Sequence, residues 1–193
     1  LLERPGVFVM GSNDYYAPTF KNPARYLSGP SGTPQRPATL PFERMRTELT
    51  GAGWADLNNA RAHVEAGGRV LDLIGVDDPH IGRDRYADVA GGGDDGVDLA
   101  VGVLHAPYRR VLDAMTADRL PLLLAGHTHG GQLCVPGFGA LVTNCDLPRR
   151  AAKGVSVHHG PDGTRSWLHV SAGLGTSPFA PIWITEIVRR QSD

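Results

Sequence analysis

Leu120-Pro-Leu-Leu-Leu-Ala-Gly-His-Thr-His-Gly-Gly131 is the stretch whose reading decides the fold. Its apolar run reads as a buried strand that ends at Gly126 and releases the chain into a loop. His127 and His129 alternate with Thr128, so extended backbone would send both imidazoles to the same side. The glycines around them allow a sharp turn and leave space for a bound ion or substrate. Two neutral imidazoles at a strand end are the beginning of a metal site. For a His-x-His pair taken alone, solvated loop histidines are the ordinary alternative.

The neighbouring segments supply partners. Leu99–Leu104 reads as a second buried strand and delivers His105 at its C-terminal end. A helix should follow, with Val111, Leu112 and Met115 on one face. Val7–Met10 is a short apolar strand that ends at Gly11. Pro18, Pro23, Pro30, Pro34 and Pro37 mark a long irregular loop. Pro41 opens a helix with Phe42, Met45 and Leu49 at helical spacing, closed by Gly51 and Gly53. Residues 57–64 and 69–76 read as a hairpin turned at Ala66-Gly67-Gly68, and 155–158 with 167–171 as another around Gly160–Gly163. Gly91–Gly96 is a flexible tip. Strands and helices mix, with the histidines at strand ends, so the class is α/β.

Composition sets wide bounds. The chain has 193 residues, which suits one domain over 1–193 with a substantial core. Hydrophobic residues make up 41% and charged residues 20%, ordinary for a globular protein. A formal net charge of −1 gives no general attraction to nucleic acid or anionic membrane. The 25 glycines and 15 prolines point to long loops rather than a helical bundle. Cys134 and Cys145 fit no zinc-finger spacing and read as reduced or buried thiols. There is no signal-peptide pattern and no run of the roughly 18 apolar residues that spans a membrane. A cytoplasmic location, or one peripheral to a membrane, is expected. Leu1-Leu-Glu-Arg-Pro-Gly6 reads as a helix end entering a strand, which suggests that an upstream portion precedes it.

Three segments at strand ends then line up: Gly11-Ser-Asn-Asp-Tyr-Tyr16, Leu104-His-Ala-Pro107 and Gly126-His-Thr-His129. In this order they resemble the calcineurin-like metallophosphoesterase family, in its bacterial branch with the ending Gly-His-Thr-His-Gly-Gly-Gln-Leu. The resemblance extends through Val135-Pro-Gly-Phe-Gly139 and Ser171-Ala-Gly-Leu-Gly-Thr-Ser177. It implies an α/β/β/α sandwich and hydrolysis of a phosphate mono- or diester at two divalent metal ions, with a metal-bound hydroxide as nucleophile. Carried over by motif, His105 and His127 would bind one metal and His129 the other. The family's Gly-Asn-His-Asp or Glu appears here as Gly11-Ser12-Asn13-Asp14. Asn13 is favoured as the amide-oxygen ligand, with Ser12 at that position as the alternative. Asp14 would orient its neighbours. Asn13, Asp14 and His105 are thus the expected catalytic residues. Tyr15 and Arg109 are candidates for substrate contact, with Tyr16, Tyr108 and Arg110 nearby.

The chain departs from the family in what it lacks. Asp-x-His and Gly-Asp-x-x-Asp should precede Gly11, and neither does, so the chain is expected to hold the C-terminal two-thirds of the domain. Asp78-Pro79-His80 has the right letters in the wrong order and reads as a turn, with Asp77 and Asp78 near the site by loop position. Gly93-Asp94-Asp95 reads as a solvated loop, and His158-His159 as part of a solvated hairpin turn. The remaining ligands are neutral and suit zinc better than magnesium. A single weakly bound metal and little hydrolysis are expected of this chain alone. A non-catalytic module that binds a partner or a lone zinc is the second reading. The segment from Ile184 to Asp193 departs from the family's closing strand.

Overall fold

Strand alternation and glycine turns build the centre of the molecule. A computed structural model describes residues 4, 6–17, 38–131, 133–135 and 139–173. Short strand β1 (Val7–Phe8) leads into a one-turn helix α1 (Ser12–Tyr15), and helix α2 (Phe42–Gly51) follows. Strand β2 (Ala55–Asp56) pairs with β1 in parallel. Two-residue strands carry no sequence pattern, and this pairing has no signature in the chain.

The main sheet contains β3 (Ala60–Ala66), β4 (Arg69–Gly75), β5 (Leu99–Leu104), β6 (Leu122–Ala125), β9 (Gly154–His159) and β10 (Arg165–Val170), in the order β3-β4-β5-β6-β10-β9. Strands β4, β5, β6 and β10 run parallel, and β3 and β9 fold back as antiparallel edges. Both expected hairpins form. The first begins at residue 60 rather than 57, because the Leu57 N–H donates to the Phe8 carbonyl instead of entering the hairpin ladder. Between β6 and β9 lies a small hairpin of β7 (Leu133–Val135) and β8 (Gly139–Val142). Helix α3 (Arg109–Ala117) joins β5 to β6.

Successive strand side chains point to opposite faces. On one face Ile74, Ala100, Leu104, Leu123 and Leu168 pack with Val111, Leu112 and Met115 of α3. On the other, Leu73 and Val101 pack with Leu57, Val7 and Val9. A third cluster joins Met10 and Tyr15 to Phe42, Met45 and Leu49 of α2. Burying such side chains contributes roughly 1.5–3 kcal/mol each. The mixed α/β class thus holds, with a central sheet and few helices among the described residues. All four parallel strands deliver their C-terminal ends to one edge of the sheet, where Asp77, His105, His127 and Ser171 begin the following loops. That edge is where open α/β sheets form sites. No helix among the described residues is long and apolar enough to cross a membrane.

Candidate metal centre

The two longest-range members of the expected histidine set meet at this edge. His105 Nε2 and His127 Nδ1 lie 3.2 Å apart, and the rings stand edge to face with centroids 5.1 Å apart. Loss of water around the rings holds the His105 imidazole down at about 4 and that of His127 well below its ordinary value. Neighbouring imidazoles add to the effect, since a second positive charge would be repelled. Both rings are therefore neutral at physiological pH and can act as donors to a cation.

His127 Nε2 faces the carbonyl oxygen of Asn144 and that residue's side-chain amide, each at 3.2 Å. When Nε2–H donates to the carbonyl, Nδ1 turns a lone pair toward His105. A backbone acceptor behind a ligating imidazole is the usual way to fix ring and tautomer. Two neutral nitrogens 3.2 Å apart also match the ~3.3 Å that separates ligands around a tetrahedral zinc. The donor set fits a divalent transition metal.

The loop that carries these histidines is not extended. His127 and His129 have φ of 66° and 50°, in the left-handed region that non-glycine residues rarely enter. Thr128 N–H bonds back to Gly126, and Gly131 N–H to Thr128. The loop is pinned beneath by the buried Thr128 hydroxyl, which donates to Ala152 at 2.6 Å. The common side expected for His127 and His129 from strand geometry is thus replaced by a wound turn, whose strain the pinning contacts sustain. His129 remains near enough to depress the His105 titration, but the three histidine donors do not gather within 4.8 Å of one another.

The first motif lies alongside. Gly11 abuts the His105 ring, and the Asp14 carboxylate accepts the Gly11 N–H at 2.8 Å, closing α1 on itself. Ser12 is half-buried and Asn13 is exposed. Tyr15 is part of the core: its hydroxyl donates to Asp77 at 2.8 Å, Phe42 packs on its ring and Arg83 stacks over it. These contacts hold the ring in the core beside the first motif. Arg109 is exposed at the start of α3, where its backbone N–H donates to Asp146. Arg110 instead grips Asp84 and the Pro79 carbonyl.

Sequence reasoning passed over His80. Asp78 caps a 3-10 turn over Pro79–Ile81, as the turn reading of this segment expected. That turn sets the His80 ring 4.6 Å from the His127 ring, with Nδ1 2.9 Å from the Tyr108 hydroxyl. Asp78 is fully buried, and its Oδ1 accepts the backbone N–H of His80, which fixes the turn that carries the third imidazole. Its letters were visible, but the order of motifs argued against it. His158 also differs from expectation: it is buried in β9 and pairs with Asp113 of α3 at 2.7 Å. Cys145 is a buried free thiol. The Cys134 side chain, the proline-rich loop at 18–37 and the C-terminal segment from 174 lie outside the described residues.

Over 135 residues the chain is 30% identical to the uncharacterized metallophosphoesterase YkoQ of Bacillus subtilis (strain 168). The match covers 69% of this chain and 47% of that protein, so the chain spans about half the length of its relative. No family model matches the chain, and neither does any solved structure. The similarity supports the metallophosphoesterase family.

Proposed function

We propose that the His105–His127 pair is one half of a binuclear centre that hydrolyses a phosphate mono- or diester, within an α/β/β/α sandwich of which this chain is the C-terminal part. The observation that carries this reading is the pair of neutral imidazole nitrogens 3.2 Å apart at the C-terminal edge of the parallel strands. His105, His127 and Asn13 would hold one ion, and His129 the other. Divalent ions held there supply Lewis-acid polarisation of phosphoryl oxygens and an activated water. Asn144 keeps the His127 ring in place, Asp78 caps the 3-10 turn that carries His80, and the pinned Thr128 holds the strained loop. Arg109, exposed at the start of α3, is available to a phosphate oxygen.

Elemental analysis of the purified chain beside His127→Ala tests the reading, together with manganese- or zinc-dependent cleavage of bis(p-nitrophenyl) phosphate. The variant should lose one equivalent of metal and any turnover. Equal metal content in the two proteins would overturn the assignment.

A further inference from the structure

A second cluster of donors lies away from the histidine centre, on the sheet face opposite Leu71 and Leu73. His63 of β3 and Asp72 of β4 are directly paired across the antiparallel ladder, so their side chains share that face. The glycine-rich loop at 91–96 folds over them and contributes Asp94. His63 Nε2 lies 3.1 Å from Asp94 Oδ2 and 3.8 Å from Asp72 Oδ1, and the three donor atoms all fall within 4.8 Å of one another. Among the described residues this is the one place where three such side chains converge so closely.

The independent observation is the state of Asp72. Its side chain is 0% exposed, and its Oδ1 has no hydrogen-bond partner. A buried carboxylate oxygen left in this way is costly unless something meets it. The other oxygen is fully engaged, since Oδ2 accepts from Arg61 Nη2 and from the backbone N–H of Asp94. Arg61 also reaches Asp94 Oδ1 at 3.4 Å and the Gly92 carbonyl at 2.8 Å. Each carboxylate thus turns one oxygen toward Arg61 and the other toward His63. The guanidinium occupies one side of the pair, and the opposite side gathers Asp72 Oδ1, Asp94 Oδ2 and His63 Nε2.

We propose that His63, Asp72 and Asp94 bind a divalent cation of the zinc class, which ties the 91–96 loop to the sheet edge. One imidazole and two carboxylates in a three-donor arrangement leave a fourth position for water, as zinc accepts. Donors around tetrahedral zinc are roughly 3.3 Å apart, and the observed 3.1 and 3.8 Å bracket that separation. His63 and Asp94 are both more than half exposed, which lets them close on the ion while Asp72 stays fixed. An imidazole in the set disfavours magnesium and calcium, which prefer oxygen alone. Two carboxylates against one guanidinium leave a net negative charge for the cation to offset.

Zinc titration by calorimetry, followed by hydrogen exchange, tests the site. His63→Ala should remove one zinc equivalent that His127→Ala retains, and Asp94→Asn should weaken that equivalent at least tenfold. In the unmodified chain, zinc should slow amide exchange in residues 91–96, and magnesium should not. Unchanged zinc stoichiometry and affinity in both variants would overturn the proposal. So would zinc that leaves exchange in 91–96 unaltered, and this second readout needs no variant to fold.

Discussion

Gly11 lies against His105 so closely that a Cβ at residue 11 would come within 2.4 Å of the ring's Cε1 and 2.5 Å of its Nε2. The backbone of the first motif is thus the floor under the His105 imidazole. Gly11 itself has φ of −117°, which any residue can adopt, so contact rather than backbone strain makes the requirement. The crowded atom is the same Nε2 that faces His127.

Gly11→Ala should therefore push His105 out of line with His127. Calorimetric titration should show at least a tenfold loss of affinity for the metal held by this pair. Affinity equal to that of the unmodified chain would mean that the ring can move without cost.

At the end of β4, a Cβ on Gly75 would sit 2.3 Å from both the Cβ and the carbonyl oxygen of Leu57. Leu57 is fully buried, and its carbonyl oxygen cannot swing aside. Gly75→Ala should destabilise the fold by about 1–3 kcal/mol, as overpacked cores do. Urea denaturation reads this directly, and an unchanged midpoint would contradict the packing described for this crossing.

Burial is the main cause that raises the Asp78 carboxyl to about 7. An unfolded aspartate titrates at about 3.9, so between these values the folded chain holds a proton that the unfolded chain has released. Stability from this group is fully present below about pH 4 and is lost as pH rises through 7. In metal-free buffer, Asp78→Asn should flatten that part of the stability profile. Asp78→Ala, which strands the N–H group of His80, should cost about 1–3 kcal/mol. Parallel profiles for the Asp78→Asn variant and the unmodified protein would show that the carboxyl titrates normally.

Cys145 is buried, and desolvation raises its thiol above the ordinary range. The thiolate is the reactive form, so iodoacetamide should modify Cys145 slowly in the native protein at pH 8 and rapidly in urea. Peptide mapping separates it from Cys134. Equal rates in the two conditions would place Cys145 at the surface.

Much of the frame was legible in the chain. Alternation across Ala66-Gly67-Gly68 and across Gly160–Gly163 announced both hairpins, and Val111, Leu112 and Met115 marked the buried face of α3. The strand ends that carry His105 and His127 followed from apolar runs that stop at a polar residue. What escaped notice was governed by contacts distant in sequence. The His80 ring reaches His127 only because a 3-10 turn and the Tyr108 hydroxyl aim it there. The left-handed backbone at His127 and His129 depends on Thr128 bonding to Ala152, a contact that no local pattern contains. Tyr15, adjacent to a ligand motif, entered the core because Asp77 satisfied its hydroxyl.

By itself, the sequence determined the main strands, the two hairpins of the central sheet, helices α2 and α3, and the identity of the histidines at the sheet edge. Periodicity and turn chemistry are local, and they act within a few residues. Only the tertiary structure decided which donors stand together: His105 against His127 over Gly11, and His63 with Asp72 beneath Asp94. Those groupings depend on strand register and on the paths of loops between distant elements. Burial then sets their charge, because a side chain loses its water only when the rest of the fold closes around it.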